Sequence, residues 1–210
     1  MIIAICSGGP IREVAFELGA DRWIGVDRGA YYLLEKGIVP AAIVGDFDSV
    51  TEEEYAGISD AVAHMETFQT EKDETDTDLA LERALSFHPQ TVLLTGVTGG
   101  RLDHYEAALR SIYRMQLAHP YIIFKIINQQ NVLQFLPPGH HPLIKTEHRY
   151  VSFFAYGETI QDVTLRGVKY ETENEVIEQG TSRFTSNEIM RDDAYIAFSS
   201  GICLMVRSMD

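Results

Sequence analysis

Short apolar runs that end in glycine- or acid-rich turns, with helix-forming stretches between them, recur through the first 127 residues. Residues 2–6 (IIAIC) run into Ser7-Gly8-Gly9-Pro10, and residues 22–26 into Asp27-Arg28-Gly29-Ala30. Residues 41–44 run into Gly45-Asp46-Phe47-Asp48-Ser49, and residues 91–95 into the loop 96–100. The spacing predicts helices over 11–18, 30–36, 75–87 and 102–117, with further strands at 62–68 and 121–127. Strands separated by helices pair in parallel through βαβ crossovers. In such sheets ligands bind beyond the carboxyl ends of the strands. Loops 7–10, 27–30, 45–49 and 96–103 all fall there, so one site assembled from sequence-distant loops is expected.

After about residue 128 the helical periodicity fades. Short β-rich runs take over at 131–136, 148–155, 163–165, 182–189, 195–199 and 203–207. Pro137-Pro138-Gly139 and Gly157-Glu158 punctuate them as turns. The expected fold class is therefore α/β: a parallel-sheet α/β domain over 1–130, then a small antiparallel β-sandwich over 131–210.

The chain has 210 residues, 45% of them hydrophobic, enough to bury a core. Its 17 basic residues against 31 acidic ones give a net charge of −14, with no Lys/Arg cluster. A nucleic-acid binder needs a basic stripe to neutralise phosphates, so that class is excluded. No apolar stretch reaches the ~18 residues of a membrane helix. The N-terminus lacks the basic region of a signal peptide. Cys6 and Cys203, each in an apolar run, read as buried free thiols. Together these point to the cytoplasm.

Three motifs carry chemistry. In Gly45-Asp46-Phe47-Asp48-Ser49, extended chain would aim Asp46 and Asp48 the same way. Two carboxylates held together repel unless a cation sits between them, and Mg²⁺ takes one or two carboxylates plus waters and phosphates. The plain reading is an exposed acidic turn. In Lys72-Asp73-Glu74-Thr75-Asp76-Thr77-Asp78, Asp73 and Asp76 share a helix face if the first turn extends that far. Acids there also cap free N–H groups and complement the helix dipole, with Thr75 and Asp78 resembling a capping pair. Lys72 is left over and suits a phosphate. In Thr98-Gly99-Gly100-Arg101-Leu102-Asp103-His104, paired glycines between strand and helix allow close approach of phosphate to backbone N–H groups. Arg101 adds a planar donor fork, and Asp103 could complete a metal shell. The loop is not a Walker A sequence. His64, His88, His119, His140, His141 and His148 have no zinc-ligand spacing, and no Cys/His pair or GxSxG elbow supports nucleophilic catalysis.

The segments GVDRGAYYLLEKGIVPAAIVGDFDS (25–49), KDETDTDLAL (72–81) and TGGRLDH (98–104) resemble, in order and spacing, those of bacterial thiamine pyrophosphokinases. Thr185-Ser186-Asn187-Glu188 is similar to the family's Ser-Asn segment. The resemblance implies transfer of a diphosphate from ATP to the hydroxyl of thiamine, with Mg²⁺ as cofactor. It implies a homodimer with thiamine held between the catalytic domain of one subunit and the β domain of the other. Carried over by motif, Asp46, Asp48, Asp76 and Asp103 are the Mg²⁺-linked acids. Asp73, Lys72 and Arg101 contact the triphosphate or the metal shell, as Thr98, Gly99 and Gly100 do through the loop. Ser186 and Asn187 contact thiamine. The chain departs from some relatives in lacking a Trp near its C-terminus; Phe184, Tyr156 and Tyr170 are the aromatic candidates in its place. Ala41-Ala42 also lacks the Asp often found after the Pro.

Three other readings share parts of this pattern. They are diphosphoryl transfer to another alcohol such as a pterin hydroxymethyl group, a nucleotide- or thiamine-binding sensor without turnover, and a metal-dependent phosphohydrolase.

Overall fold

Strand β1 (Ile2–Cys6) pairs in parallel with β2 (Arg22–Val26) on one side and β5 (Thr91–Thr95) on the other. Its residues 3–6 are wholly buried, as expected of a strand covered on both faces. Ala4 and Cys6 pack with Trp23, Leu33 and Leu93 on one face. The computed structural model describes residues 1–47, 50–62, 67–68 and 75–210, and it divides into two compact units, Met1–Gln129 and Gln130–Asp210. Asp48, His64, Lys72 and Asp73 lie outside the described residues.

The sheet of the first unit runs β4-β3-β2-β1-β5-β6, with β3 Ala42–Val44, β4 Thr67–Phe68 and β6 Ile123–Ile127. Every pairing within it is parallel. Helices α1 (Arg28–Glu35), α2 (Glu52–Val62), α3 (Asp76–Leu85) and α4 (Leu102–Ala118) lie between the strands in sequence. Thr75 caps α3: its Oγ1 accepts from the Asp78 N–H at 3.2 Å. Helix α2, not expected from the sequence, starts with a reciprocal box. Thr51 Oγ1 accepts from the Glu54 N–H, and Glu54 Oε2 accepts from the Thr51 N–H at 2.8 Å.

The helix expected over 11–18 is instead one 3₁₀ turn, Ile11–Glu13, after which Val14 is extended. Side chains from distant positions supply the backbone partners that a helix would have supplied. Thr95 Oγ1 accepts from the Ala15 N–H at 2.9 Å, and Gln129 Nε2 donates to the Val14 carbonyl at 2.7 Å. Val14 itself is buried against Trp23 and Leu33. Tertiary burial outweighs the local helical spacing here.

The second unit is antiparallel. Its strands are β7 (Asn131–Leu136), β8 (Gly139–Pro142), β9 (Tyr150–Arg166), β10 (Thr172–Ile177), β11 (Asn187–Glu188), β12 (Tyr195–Phe198) and β13 (Ser200–Ser208). They run β7-β13-β9-β12-β8, with β10 and β11 also on β9. The turn expected at Gly157-Glu158 lies inside β9. The β13 register shifts between Ser200 and Ile202, opposite residues 156–161, so the glycine marks an irregularity in a continuous strand. The strand expected over 182–189 shrinks to Asn187–Glu188, with β10 unforeseen. Val151, Phe153, Ile160, Val163, Leu165, Ile177 and Ile196 form the core.

Both cysteines are free and buried, and burial pushes each thiol up to about 12. No helix among the described residues is long and apolar enough to cross a membrane.

Candidate active site

The loops at the carboxyl edge of the first unit's sheet touch one another through backbone. The Ser7 N–H donates to the Thr95 carbonyl at 2.9 Å and the Gly9 N–H to the Gly96 carbonyl at 2.8 Å. A Cβ on Gly96 would stand 2.2 Å from the Ser7 carbonyl oxygen, so only glycine permits this approach. The chain after β1 and the chain after β5 thus form one ridge.

The next loops along are held by Asp27, which is not among the site residues expected from the sequence. Asp27 precedes α1 with φ 48. Its N–H donates to the Val44 carbonyl at 3.0 Å, and its Oδ1 accepts from the Phe47 N–H at 3.4 Å. This carboxylate ties the turn after β2 to the turn that carries Asp46. Its signal was its place in a strand-end loop beside an arginine and a glycine. Asp46 is exposed. Phe47 follows at φ 60 and packs edge-on against Tyr55, ring centroids 5.8 Å apart. The backbone at Phe47 is thus left-handed and not extended, while Asp48, the other half of the expected pair, lies outside the described residues.

Asp76 opens α3 and is half-buried, at the end of the helix that faces the carboxyl edge. Asp78, in the same turn, plays a different part. Burial alone would raise its pKa. Hydrogen bonds from Ser111 and Thr75 and the Arg114 guanidinium, 2.7 Å from Oδ1, hold it below the usual carboxylate range. It joins α3 to α4.

At the start of α4 the Arg101 fork donates twice to Asp103, Nε to Oδ1 at 3.1 Å and Nη2 to Oδ2 at 2.6 Å. Both side chains are largely exposed. Arg101, with the His104 N–H, draws Asp103 down to about 2, so it is ionised throughout the neutral range. Thr98 Oγ1 accepts from Asn128 Nδ2 at 2.9 Å. Gly99 has φ 76, and a Cβ there would lie 2.4 Å from Glu13 Cγ.

In the second unit Ser186 is exposed at φ 55, its N–H donating to Ser152 Oγ at 3.0 Å. Asn187 is buried. Its Oδ1 accepts from the Tyr170 N–H at 3.0 Å and the Glu188 N–H at 2.9 Å, and its Nδ2 donates to the Tyr170 carbonyl at 2.9 Å. Of the aromatic candidates, Phe184 is buried, Tyr156 stacks edge-on with Phe135, and Tyr170 is exposed.

The described residues contain no group of three or more His, Cys, Asp or Glu arranged to hold a metal ion. The expected tetrad includes Asp48, outside that set. What the described part supplies is Asp46, Asp76 and Asp103, each at a strand end or helix start on the carboxyl edge. Carboxylate oxygens are the donors Mg²⁺ prefers, so the donor chemistry fits that ion.

Known proteins follow the same division of the chain. Residues 17–124 match the family model for the thiamin pyrophosphokinase catalytic domain. Residues 140–203 match that for the thiamin pyrophosphokinase vitamin B1 binding domain. The thiamine pyrophosphokinase of Bacillus subtilis (strain 168) is 40% identical over 213 residues, covering 99% of each chain. A crystal structure of thiamine pyrophosphokinase from Bacillus subtilis superposes with a TM-score of 0.94 at 38% identity, covering 100% of both chains. A thiamin pyrophosphokinase structure from Geobacillus thermodenitrificans gives 0.91 at 36% identity, covering 100% of this chain and 98% of that one. With both domain models matched in order and full-length relatives above 30% identity, the chain belongs to the thiamine pyrophosphokinase family.

Proposed function

We propose that the ridge of strand-end loops in the first unit binds ATP and carries the family's reaction. The chain is a thiamine diphosphokinase: it transfers a diphosphate from ATP to the hydroxyl of thiamine, releasing AMP. The hydroxyl oxygen bonds to the β-phosphorus while the bond from that phosphorus to the AMP oxygen breaks. The barrier is electrostatic and geometric, because anionic oxygens must be neutralised and attacking and leaving oxygens held in line.

The observation that carries the site assignment is the exposed Arg101–Asp103 fork at the start of α4, beside Gly99 and Gly100. A triphosphate offers Arg101 a second bidentate acceptor of higher charge. Arg101 turns to the phosphate oxygens, which frees the ionised Asp103 carboxylate. Asp46, Asp48, Asp76 and Asp103 are the residues that would hold Mg²⁺, which neutralises phosphate charge when bound. Lys72 and the 98–100 loop N–H groups add positive potential around the same oxygens. Asp73 or Asp103 accepts the hydroxyl proton.

The second unit we read as a small β-sandwich whose two sheets share β9, and as the thiamine-binding part. Ser186 is its exposed contact and Asn187 stands behind it. The assembly is a homodimer, and two buried free thiols fit a reducing cytoplasm.

The experiment is AMP formation from ATP and Mg²⁺ with and without thiamine, with the product identified by mass. Thiamine-dependent AMP together with thiamine diphosphate is the expected result. Inorganic phosphate released without thiamine would favour a phosphohydrolase. Folded protein that gives neither would sink the reading.

A further inference from the structure

Three residues far apart in sequence meet under the 98–101 loop. Asn128 follows β6, is 8% exposed, and directs its amide nitrogen to two acceptors. Nδ2 donates to Thr98 Oγ1 at 2.9 Å and to Glu13 Oε2 at 3.4 Å. An amide nitrogen carries two hydrogens, and an ionised carboxylate only accepts, so this assignment satisfies both partners. Glu13 sits at the end of the 3₁₀ turn, with its stem against Gly99: a Cβ on that residue would lie 2.4 Å from Glu13 Cγ and 2.8 Å from Cδ. Pro10 supports the following residue, its Cδ 3.3 Å from where a Gly100 Cβ would be. The turn 10–13 is itself held, because Gln129 grips the Val14 carbonyl and Thr95 the Ala15 N–H.

We propose that Glu13 and Asn128 are positioning residues for the reaction: a side-chain clamp that fixes the 98–100 backbone in the conformation that receives the nucleotide's phosphates. The inference rests on reading that loop as the triphosphate cradle. Neither residue touches substrate. A phosphate cradle works only if its N–H groups already converge, since ordering a loop on binding costs affinity. Two glycines in succession supply freedom and no stiffness. The stiffness comes from below, through Thr98 on one side and the Glu13 stem under Gly99 on the other. The segment that carries Glu13 leaves the helical path after a single turn, which lets that carboxylate reach Asn128.

The test exchanges the two groups. Asn128→Asp puts a carboxylate opposite Glu13 and removes the shared donor. Adding Glu13→Gln restores one amide and one carboxylate with their positions swapped, and the Thr98 hydroxyl can donate to the new carboxylate. Steady-state KM for ATP and for thiamine, kcat and melting temperature are measured for these proteins and for Arg101→Gln. Arg101→Gln tests the cradle itself: if its ATP KM and kcat stay at the wild-type values, that reading fails and the clamp has nothing to position. With Arg101 effective, Asn128→Asp should raise the ATP KM about fivefold to tenfold, the size of one lost hydrogen bond, and leave the thiamine KM unchanged. The double variant should bring the ATP KM most of the way back. A merely structural role would move the melting temperature and both KM values together. An unchanged ATP KM in Asn128→Asp, or a double variant no better than the single, overturns the clamp. Should Asn128→Asp not fold, Thr98→Val breaks the same hydrogen bond from the other end, and an unchanged ATP KM there overturns it equally.

Discussion

Each unit of the molecule keeps a buried asparagine under its candidate site, and the two amides have different partners. Asn187 in the β-rich unit bonds to backbone: two N–H groups and one carbonyl, among them both polar groups of Tyr170. The Asn128 amide nitrogen, in the α/β unit, donates instead to side chains: the Thr98 hydroxyl and the Glu13 carboxylate. A backbone group that loses a buried partner stays unsatisfied, because the chain cannot be swapped out. A side-chain acceptor that loses its donor can rotate toward water. Removing Asn187 should therefore be felt in folding, and removing Asn128 in the placement of one loop. Motif membership did not distinguish them, since the amide in the motif is the one committed to backbone.

The sharpest way to break this contrast is at the exposed rim of the first unit, where little stability should reside. Asp103→Asn removes the charge and one of the two acceptor oxygens facing the Arg101 fork, and with them one of the four carboxylates assigned to the cation. Turnover should fall by about 10²-fold or more. The pair is largely exposed, so the melting temperature should hardly move. A variant that melts early as it loses activity would show that the rim is structural after all.

Asn187→Ala should give the opposite profile. The Tyr170 N–H and carbonyl and the Glu188 N–H lose their partners in a half-buried setting, at a cost of about 2–4 kcal/mol in all. For a chain of this size that lowers the melting temperature by roughly 4–16 °C. Urea unfolding and thermal scans measure it directly. If the Ala variant keeps its stability and loses only thiamine affinity, Asn187 is a ligand in its own right and the contrast collapses.

Parts of the molecule are legible in the sequence because their causes are local. The run 2–6 is apolar at every position, which marks a strand covered on both faces. Thr75 and Asp78 announce the start of α3 three residues apart. The Thr51–Glu54 box is just as local and was legible in principle. Other parts depend on partners the sequence cannot point to. Residues 11–18 have helical spacing, but their backbone is held by Thr95 and Gln129, 80 and 115 positions away. Gly157-Glu158 carries a turn signal, yet pairing with β13 runs past it. In the site, the Arg101–Asp103 fork could be anticipated from two residues in one motif. Asp27 was marked only by its place in a strand-end loop, and Glu13 and Asn128 not at all, because each of those two is defined by a contact across the sheet edge.

The smallest effect separates two acids that both face an arginine. Asp78 and Asp103 each have a pKa depressed on folding, so each contributes stability that is present above the unfolded value of about 4 and lost as pH falls through the lower folded value. For Asp103 that loss is centred near 2 and, with both partners in solvent, is screened by salt. Asp78 is 14% exposed and bonded to Thr75 and Arg114 across two helices. Its contribution, about 0.5–1 kcal/mol after allowance for solvent screening, should persist in salt. Urea unfolding at pH 6 and pH 3, each at low and high ionic strength, resolves the two. Asp78→Asn should lower stability at pH 6 and flatten the acid limb at both ionic strengths, since the amide has no proton to take up. Asp103→Asn should flatten it only at low salt. Equal salt sensitivity in the two variants would mean that Asp78 is another exposed pair, and that the join between α3 and α4 is held by packing alone.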